Sequence, residues 1–329
     1  MTTAVDPPAI RRVVGVALNA AIDKTVSVDR LVAGAIHRPV IRSVVAGGKA
    51  ANVVRAARHM GLDGTMVAVL GGHAGAWYRA QLEERSIALH EVSAADETRT
   101  CLSVLDDTTG ELTEFYEAGI RLRDEDWPVV EAALRAAIGG DGSDVVVVLA
   151  GSLPPGTPAD AYARLAVITA ERGARAVVDS DGASMAAALA TRPWLVKVNA
   201  AEAETVTGTS ARTRDRAATA AAELRSRGAA NAIVTRGVHG AAVATADGSW
   251  ALGNLPAAHR GPYSVGSGDA FLAGFLAGSS RGLGPADALR VAGATGAANA
   301  RTPGQGELDP ADVDRTRLVC EVVALPART

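Results

Sequence analysis

The sequence predicts an α/β fold with a mostly parallel sheet. Short runs that are apolar throughout, such as Val145–Ala150, are typical of strands buried on both faces of a parallel sheet. Helical stretches separate these runs, and strand after strand ends in a polar or glycine-rich loop. In an open α/β sheet such loops converge on the edge at which ligands bind, so we expect one site there.

The amino-acid composition limits the domain number, the partners and the location that we expect for this protein. The chain has 329 residues, 48% of them hydrophobic, and we expect residues 1–329 to form one large domain. A net charge of −3 and 3% aromatic residues argue against nucleic acid and anionic membranes as partners. The segment Met1–Arg12 lacks an apolar signal, and no uncharged apolar run reaches about 18 residues. We therefore expect a cytosolic protein with Cys101 and Cys320 as reduced thiols.

The first elements predict a strand, a polar turn and a glycine-rich helix start. Val13–Leu18 is a β-branched run that favours a buried strand, and the polar segment Asn19–Lys24 follows it. Thr25–Val28 alternates as a half-exposed strand does. A glycine-rich turn at Ala46–Asn52 then opens a helix. It matches neither GxxxxGK[ST] nor GxGxxG, and Lys49 there could simply be solvated.

A small separate sheet is predicted next. After a strand at 65–70 and a helix at 74–85, the runs Thr100–Leu105 and Leu112–Tyr116 flank the turn Asp106–Gly110, which indicates a hairpin. Together with Thr25–Val28 and a strand near 40–45, it forms a lid from two insertions, about 23–46 and 87–118. Arg99 enters this hairpin, where a lone arginine is usually a solvated edge charge.

The C-terminal half alternates strictly between helices and strands. We expect helices at 124–138, 267–280, 285–300 and near 310, strands at 145–150, 176–178, 195–198 and 232–235, and a hairpin through 240 and 247–248.

The stretch Ser264–Leu276 predicts an anion site. A turn with Gly266 and Gly268 leads into an apolar helix, whose first N–H groups and dipole favour a phosphate. Asp269 stands at this positive end, where a carboxylate could accept a proton from an attacking hydroxyl. The alternative is that Asp269 only caps the helix.

Four motifs together resemble the PfkB/ribokinase carbohydrate kinases. They are Gly47-Gly48-Lys49 with Asn52, the loop 151–156 (GSLPPG), Asn199-x-x-Glu202, and 266–269 (GSGD), in the order and spacing of that family. Asn19 to Asp23 and Thr98-Arg99 are similar to the branch that acts on hexose phosphates. Ala20, Ala50, Ser267 and Ala270 depart from its usual pattern, the first two within the sugar site.

The resemblance implies a ribokinase-like three-layer α/β/α fold with a β-sheet lid, and a role for each matching residue. Asp269 would be the general base, and the N–H groups of Gly266, Ser267 and Gly268 would form the anion hole. The sugar phosphate would be bound by Asp23, Gly47, Gly48, Lys49, Asn52, Arg99 and Ser152. The nucleotide would be surrounded by Thr235, Gly237, Gly240 and Asn299, and Mg²⁺ held by Asn199 and Glu202.

The implied reaction is ATP- and Mg²⁺-dependent phosphorylation of a phosphorylated ketohexose, fructose 1-phosphate before fructose 6-phosphate or tagatose 6-phosphate, by a homodimer joined through the lid. A phosphosugar needs cations in its pocket, and Arg99 and Lys49 can supply them. The alternatives are a kinase for a neutral sugar or nucleoside, and a silent sugar- or nucleotide-binding regulator on the same fold. A dinucleotide oxidoreductase is disfavoured because no GxGxxG follows the first strand.

Overall fold

The fold is known from a computed structural model that describes residues 9–326. Its strands are β1 (Arg12–Ala17), β2 (Ala21–Val28), β3 (Val40–Gly47), β4 (Asp63–Leu70), β5 (Ala88–Ser93), β6 (Arg99–Asp106), β7 (Leu112–Tyr116), β8 (Val145–Ala150), β9 (Arg175–Asp179), β10 (Leu195–Asn199), β11 (Asn231–Thr235), β12 (Ala241–Thr245), β13 (Gly248–Leu252) and β14 (Val322–Leu325). Its α-helices are α1 (Lys49–His59), α2 (Gly72–Glu84), α3 (Trp127–Ile138), α4 (Ala161–Glu171), α5 (Gly182–Leu189), α6 (Ala200–Thr207), α7 (Arg214–Ser226), α8 (Ser267–Ser280), α9 (Pro285–Arg301) and α10 (Pro310–Arg317).

The predicted mostly parallel sheet is confirmed. Its order is β14-β13-β12-β11-β10-β9-β8-β1-β4-β5, parallel from β11 to β5 and antiparallel from β11 to β14. Adjacent side chains of β1 face opposite layers: Val13 belongs to the core cluster that includes residues of α1, α2 and α8–α10, and Val14 belongs to the cluster that includes residues of α3–α7. Burial on both faces explains why strands such as β8 are apolar at every position. The chain therefore has three layers.

The small sheet has the order β3-β2-β6-β7. As expected, β6 and β7 form an antiparallel hairpin, and β2 lies parallel to β6 with Ile22 opposite Thr100. The expected second insertion at 87–118 is too long, because β5 pairs with β4 in the large sheet. The residues of that span that form the lid are 99–116. Strand β5 was missed because Ala88–Ser93 mixes charged and apolar side chains, as an edge strand can.

Two further observations concern the described part of the chain. Cys101 and Cys320 are buried free thiols. Between residues 9 and 326, the helices are all too short or too polar to cross a bilayer. The segment 1–8, to which the absence of a signal sequence mainly refers, lies outside the described residues.

Candidate active site

The loops at the carboxyl edge of the large sheet enclose a cavity of about 610 Å³ beneath the lid. Predicted site residues that line it are Asp23, Gly48, Lys49, Asn52, Arg99, Ser152, Asn199, Glu202, Thr235, Gly237, Gly240, Gly266, Ser267, Gly268 and Asp269. This convergence follows from the topology, because the carboxyl ends of parallel strands meet at one edge. Gly47 lies just behind the lining, and Asn299 does not reach it.

The turn before α8 has the backbone that its glycines predict. Gly266 has φ +80°, and a Cβ there would lie 2.8 Å from the Cβ of Gln305, so only glycine fits. Gly266, Ser267 and Gly268, at the start of α8, thus line the cavity beside Asp269. The Ser267 N–H donates to the Ser264 carbonyl at 3.2 Å, so in this conformation one of the three predicted anion-hole donors is already engaged.

Asp269 is buried, and its contacts differ from those of a helix cap. The N-cap position of α8 is Gly266, and Asp269 Oδ2 instead accepts a hydrogen bond from Asn52 Nδ2 at 2.9 Å. Burial raises the pKa of Asp269 to about 6, and nearby Asp179 adds to the shift. Lys197, Lys49 and the Asn52 hydrogen bond oppose it. A carboxyl with this pKa is ionised at neutral pH and can still take up a proton, as a general base must.

The glycine pair before α1 makes room for Asp23. A Cβ on Gly47 would lie 2.1 Å from the Asp23 Cγ, and the Gly48 N–H, at φ +91°, donates to Asp23 Oδ2 at 3.2 Å. Burial raises the pKa of Asp23, although this hydrogen bond and the nearby Arg55 counteract it. The turn thus fixes the Asp23 carboxyl group in the wall of the cavity.

The lid end carries hydrogen-bonding groups between β1, β7 and the loop after β8. Arg99 donates to the carbonyls of Glu117 at 3.1 Å and Asn19 at 3.2 Å. Asn19 Nδ2 donates to Ser152 Oγ at 3.3 Å, while its buried Oδ1 has no hydrogen-bond partner among residues 9–326. This oxygen is shielded from the cavity and lies against Gly119, 1.9 Å from where a Cβ of that residue would be.

Sequence analysis missed a charged triad beside the anion turn. Asp179 is fully buried and accepts from Lys197 Nζ at 2.6 Å and from Lys49 Nζ at 2.9 Å. These two ammonium groups hold the pKa of Asp179 low against its burial. Lys197 also approaches the turn, 3.0 Å from where a Cβ of Gly268 would lie. The available signal was a lysine within the otherwise apolar strand Leu195–Val198.

The predicted metal pair forms a capping box at the start of α6. Asn199 Oδ1 accepts from the Ala201 and Glu202 N–H groups, and Glu202 Oε2 accepts from the Asn199 N–H at 2.7 Å. Glu202 Oε1 points toward Lys49 Nζ at 3.5 Å. Across residues 9–326, groups of three or more His, Cys, Asp and Glu that could hold a metal are absent. One carboxylate oxygen in the cavity wall still fits Mg²⁺, which keeps several waters and uses substrate phosphates as ligands.

The rest of the cavity wall combines small and apolar residues with Asn254, Arg260 and Glu321. Thr235, Gly237 and Gly240, which are predicted to surround the nucleotide, line the cavity. Asn299 does not: it is fully buried, and its Nδ2 donates to the carbonyls of Gly304 and Glu307. The lining stripe of α9 is Gly293, Gly296, Ala297 and Ala300, and Asn299 lies beside this stripe. Asn299 therefore holds the loop after α9 in place and does not make the predicted contact with the cavity.

Comparison with known proteins identifies the family. Residues 13–312 match the pfkB family carbohydrate kinases. The chain belongs to the pfkB family. It is therefore a carbohydrate kinase, as the four motifs indicated, and the oxidoreductase alternative is excluded.

Relatives of this pfkB protein include two kinds of phosphofructokinase by name. It is 32% identical over 281 residues to a 1-phosphofructokinase of Rhodobacter capsulatus, covering 85% of this chain and 88% of the relative. It is 30% identical over 305 residues to an ATP-dependent 6-phosphofructokinase isozyme 2 of Mycobacterium tuberculosis, covering 92% and 88%. The tetrameric inhibited form of phosphofructokinase-2 from Escherichia coli superposes with a TM-score of 0.82 at 24% identity, over 94% and 99% of the chains, which confirms the ribokinase-like fold.

Proposed function

We propose that this carbohydrate kinase transfers a phosphoryl group from ATP to a hydroxyl of a phosphorylated ketohexose, with fructose 1-phosphate as the first candidate. The observation that best supports this proposal is Asp269. It is a buried carboxyl in the first turn of α8, it lines the cavity, and its pKa is raised to about 6. An acceptor hydroxyl needs a base, and the transferred phosphoryl group needs fixed positive partners. The Asp269 carboxyl and the N-terminus of α8 lie next to each other in the cavity wall, which supports this proposal.

In the proposed reaction, Asp269 accepts the proton of the attacking sugar hydroxyl. The N–H groups at Gly266 and Gly268 and the ammonium of Lys197 face the negative charge of the phosphoryl group in transit. Such positioning and charge stabilisation account for most of the catalysis in phosphoryl transfer. Asp179 fixes Lys197 in place through the 2.6 Å ion pair.

The acceptor is assigned to the lid end of the cavity. Asp23 and Asn52 offer hydrogen bonds to sugar hydroxyls, and Arg99 offers a guanidinium to an existing phosphate. The Lys49 ammonium contacts Asp179 and Glu202, which suits a bridge to the transferred phosphoryl group better than the predicted grip on the sugar phosphate. The name of the Rhodobacter relative supports fructose 1-phosphate.

The proposal includes Mg²⁺ near Asn199 and Glu202. Bound there, Mg²⁺ would neutralise charge on the phosphates of ATP. Glu202 would hold its hydrated shell through Oε1, while Oε2 keeps α6 capped. We also propose a homodimer joined through the lid, and the cytosolic location stays a prediction.

A substrate panel tests the function. The purified chain is assayed with ATP and Mg²⁺ on fructose 1-phosphate, fructose 6-phosphate, tagatose 6-phosphate, fructose and ribose. We expect the highest kcat/KM with fructose 1-phosphate. A preference for ribose or fructose would replace the phosphosugar assignment with the neutral-sugar alternative, and a preference for fructose 6-phosphate would agree with the Mycobacterium relative. Lack of ATP turnover with every sugar would indicate the silent regulator.

A further inference from the structure

A buried arginine, which the proposed reaction does not use, lies behind the base. Arg55 on α1 is 2% exposed, and its side chain ends between α1 and the loop 304–307. Its Nη1 donates to Asn52 Oδ1 at 3.2 Å and to the Gln305 carbonyl, and its Nη2 donates to the Ala46 carbonyl. Its Nε lies 3.5 Å from Glu307 Oε1. Partners on several sides therefore fix the plane of the guanidinium.

This guanidinium determines which way the Asn52 amide points. A guanidinium has donors and no acceptor, so the amide must turn its oxygen toward Arg55. The amide nitrogen is then directed the opposite way, where it donates to Asp269 Oδ2 at 2.9 Å. The flipped amide would set donor against donor at Arg55 and oxygen against the carboxylate at Asp269.

We propose that Arg55 is a positioning residue of this kinase: by fixing the orientation of the Asn52 amide, it keeps a hydrogen-bond donor on Asp269 and favours the proton-accepting form of that carboxylate. The proposal rests on the proposed role of Asp269 as general base. A protonated Asp269 would have to donate to a neighbour, and the Asn52 oxygen that could accept is turned away by Arg55. The ionised carboxylate is thus the form that this arrangement matches.

Other charged groups also face Asp269, and they do not take part in the hydrogen bonds that join Arg55, Asn52 and Asp269. Lys197 from β10 and Lys49 from α1 favour its ionised form, and Asp179 from β9 disfavours it. None of the three is hydrogen-bonded to Arg55 within residues 9–326. A change at Arg55 therefore acts on Asp269 through Asn52, and it also acts on Asp23, whose pKa both Arg55 and Asn52 lower.

The chain offers a matched control for Arg55. Arg85 lies 3.1 Å from Glu307 Oε1, the same carboxylate oxygen that pairs with Arg55. Its side chain is 33% exposed, and it makes no hydrogen bond to Asn52 among the described residues. Arg85→Met and Arg55→Met both remove a positive partner of Glu307, and only Arg55→Met frees the Asn52 amide.

The test compares the pH dependence of kcat at saturating fructose 1-phosphate and ATP. We expect the acid limb of the kcat profile of Arg55→Met to lie about one pH unit above that of the wild type. At pH values well below the pKa of the base, kcat would then be about tenfold lower than in the wild type, with little change in the KM for ATP. The limb of Arg85→Met should superimpose on the wild type. Because the substrate phosphate titrates in every variant alike, the difference between curves belongs to the enzyme. An Arg55→Met limb that superimposes on the wild type would overturn the proposal.

A second variant keeps the test decisive if Arg55→Met does not fold. Asn52→Ala removes the donor itself, so its acid limb should move in the same direction, and adding Arg55→Met should move it no further. An active Asn52→Ala enzyme with the wild-type limb would also overturn the proposal. Failure of the proposed function looks different: the wild type would phosphorylate none of the sugars, or Asp269→Asn would keep full activity.

Discussion

Asp269 combines burial with a set of opposing charges. Removal from water raises its pKa, and the nearby ammonium groups limit that rise, so the carboxyl titrates at about 6. A group whose pKa lies just below neutral pH is ionised when the acceptor binds and can still hold the proton as the phosphoryl group leaves ATP. The same carboxylate in open water would be a weaker base.

The pH dependence of the wild type follows from this value. The base must be ionised, so activity is present above about pH 6 and is lost as the pH falls through it. Asp269→Asn should lower kcat by about 10²–10⁴-fold and leave only the acid limb that belongs to the substrate phosphate. Steady-state assays between about pH 5 and pH 8 measure both effects. Glu204→Gln, at an exposed position of α6, is the control, and near-full activity of Asp269→Asn would contradict the role of the base.

Arg99 is expected to discriminate between phosphorylated and neutral sugars. Arg99→Ala should raise the KM for fructose 1-phosphate at least about tenfold, since hydrogen bonds to a charged group contribute about 1.5–3 kcal/mol each. Arg99→Lys should recover only part, because an ammonium lacks the planar fork. The KM for ATP should change little.

Arg42→Ala is the matched control for Arg99. Arg42 lies on the same lid, pairs with Asp107 at 3.4 Å and does not line the cavity. An unchanged phosphosugar KM in Arg99→Ala would show that Arg99 only joins the Asn19 and Glu117 carbonyls.

Among the helices, α6 tests whether Glu202 caps or binds metal. Glu202→Gln keeps an oxygen that can accept from the Asn199 N–H, so the capping box and the stability should be retained. The charge is lost, so the Mg²⁺ concentration for half-maximal activity should rise severalfold. Titration of activity with Mg²⁺, beside a thermal melt, separates the two. If the variant kept full stability and an unchanged Mg²⁺ dependence, Glu202 would cap α6 without binding Mg²⁺.

Helices α8 and α9 pack closely because glycines face the contact. A Cβ on Gly274 would lie 2.4 Å from Thr295 Oγ1, and one on Gly278 would lie 2.8 Å from the Ala288 Cα. Gly274→Val should therefore destabilise the protein by about 1–3 kcal/mol through overpacking, read as a lower denaturant midpoint. Gly140→Ala adds a methyl group with no atom within 4 Å and should leave the midpoint unchanged. Equal midpoints for the two variants would contradict the tight crossing.

Sequence reasoning succeeded where a feature is local. The turn at Gly266, the helix 267–280 and the lid hairpin carry their own turn and periodicity signals, and the structure confirms them. It failed where a contact joins distant residues. The ion pair of Lys197 with Asp179 and the orientation of Asn52 by Arg55 depend on neighbours that only the folded chain brings together. The face on which Asn299 lies was likewise set by packing of α9.

For the whole molecule, the lid leaves large apolar side chains in solvent. Val40, Ile41, Phe115 and Tyr116, on the outer strands β3 and β7, are each more than half exposed. A sheet of this size rarely leaves such a surface uncovered, which supports the proposed homodimer. Ile41→Asp should shift the mass in solution, measured by light scattering at micromolar concentration, from dimer to monomer. Val167→Asp, at an exposed position of α4, should remain dimeric, and a monomeric wild type would contradict the interface.

The strand order has a consequence for synthesis on the ribosome. From β8 to β14 the strands add to the large sheet in chain order, so a nascent chain can extend one growing edge strand by strand. In the described part of the chain, every strand of that sheet except β14 precedes α8. The hydrogen bond between Asn52 and Asp269 nevertheless joins residues 217 positions apart. A chain halted before α8 therefore carries the proposed sugar-side groups and most of its sheet but lacks Asp269, the proposed base, so the proposed reaction becomes possible only after α8 has been made.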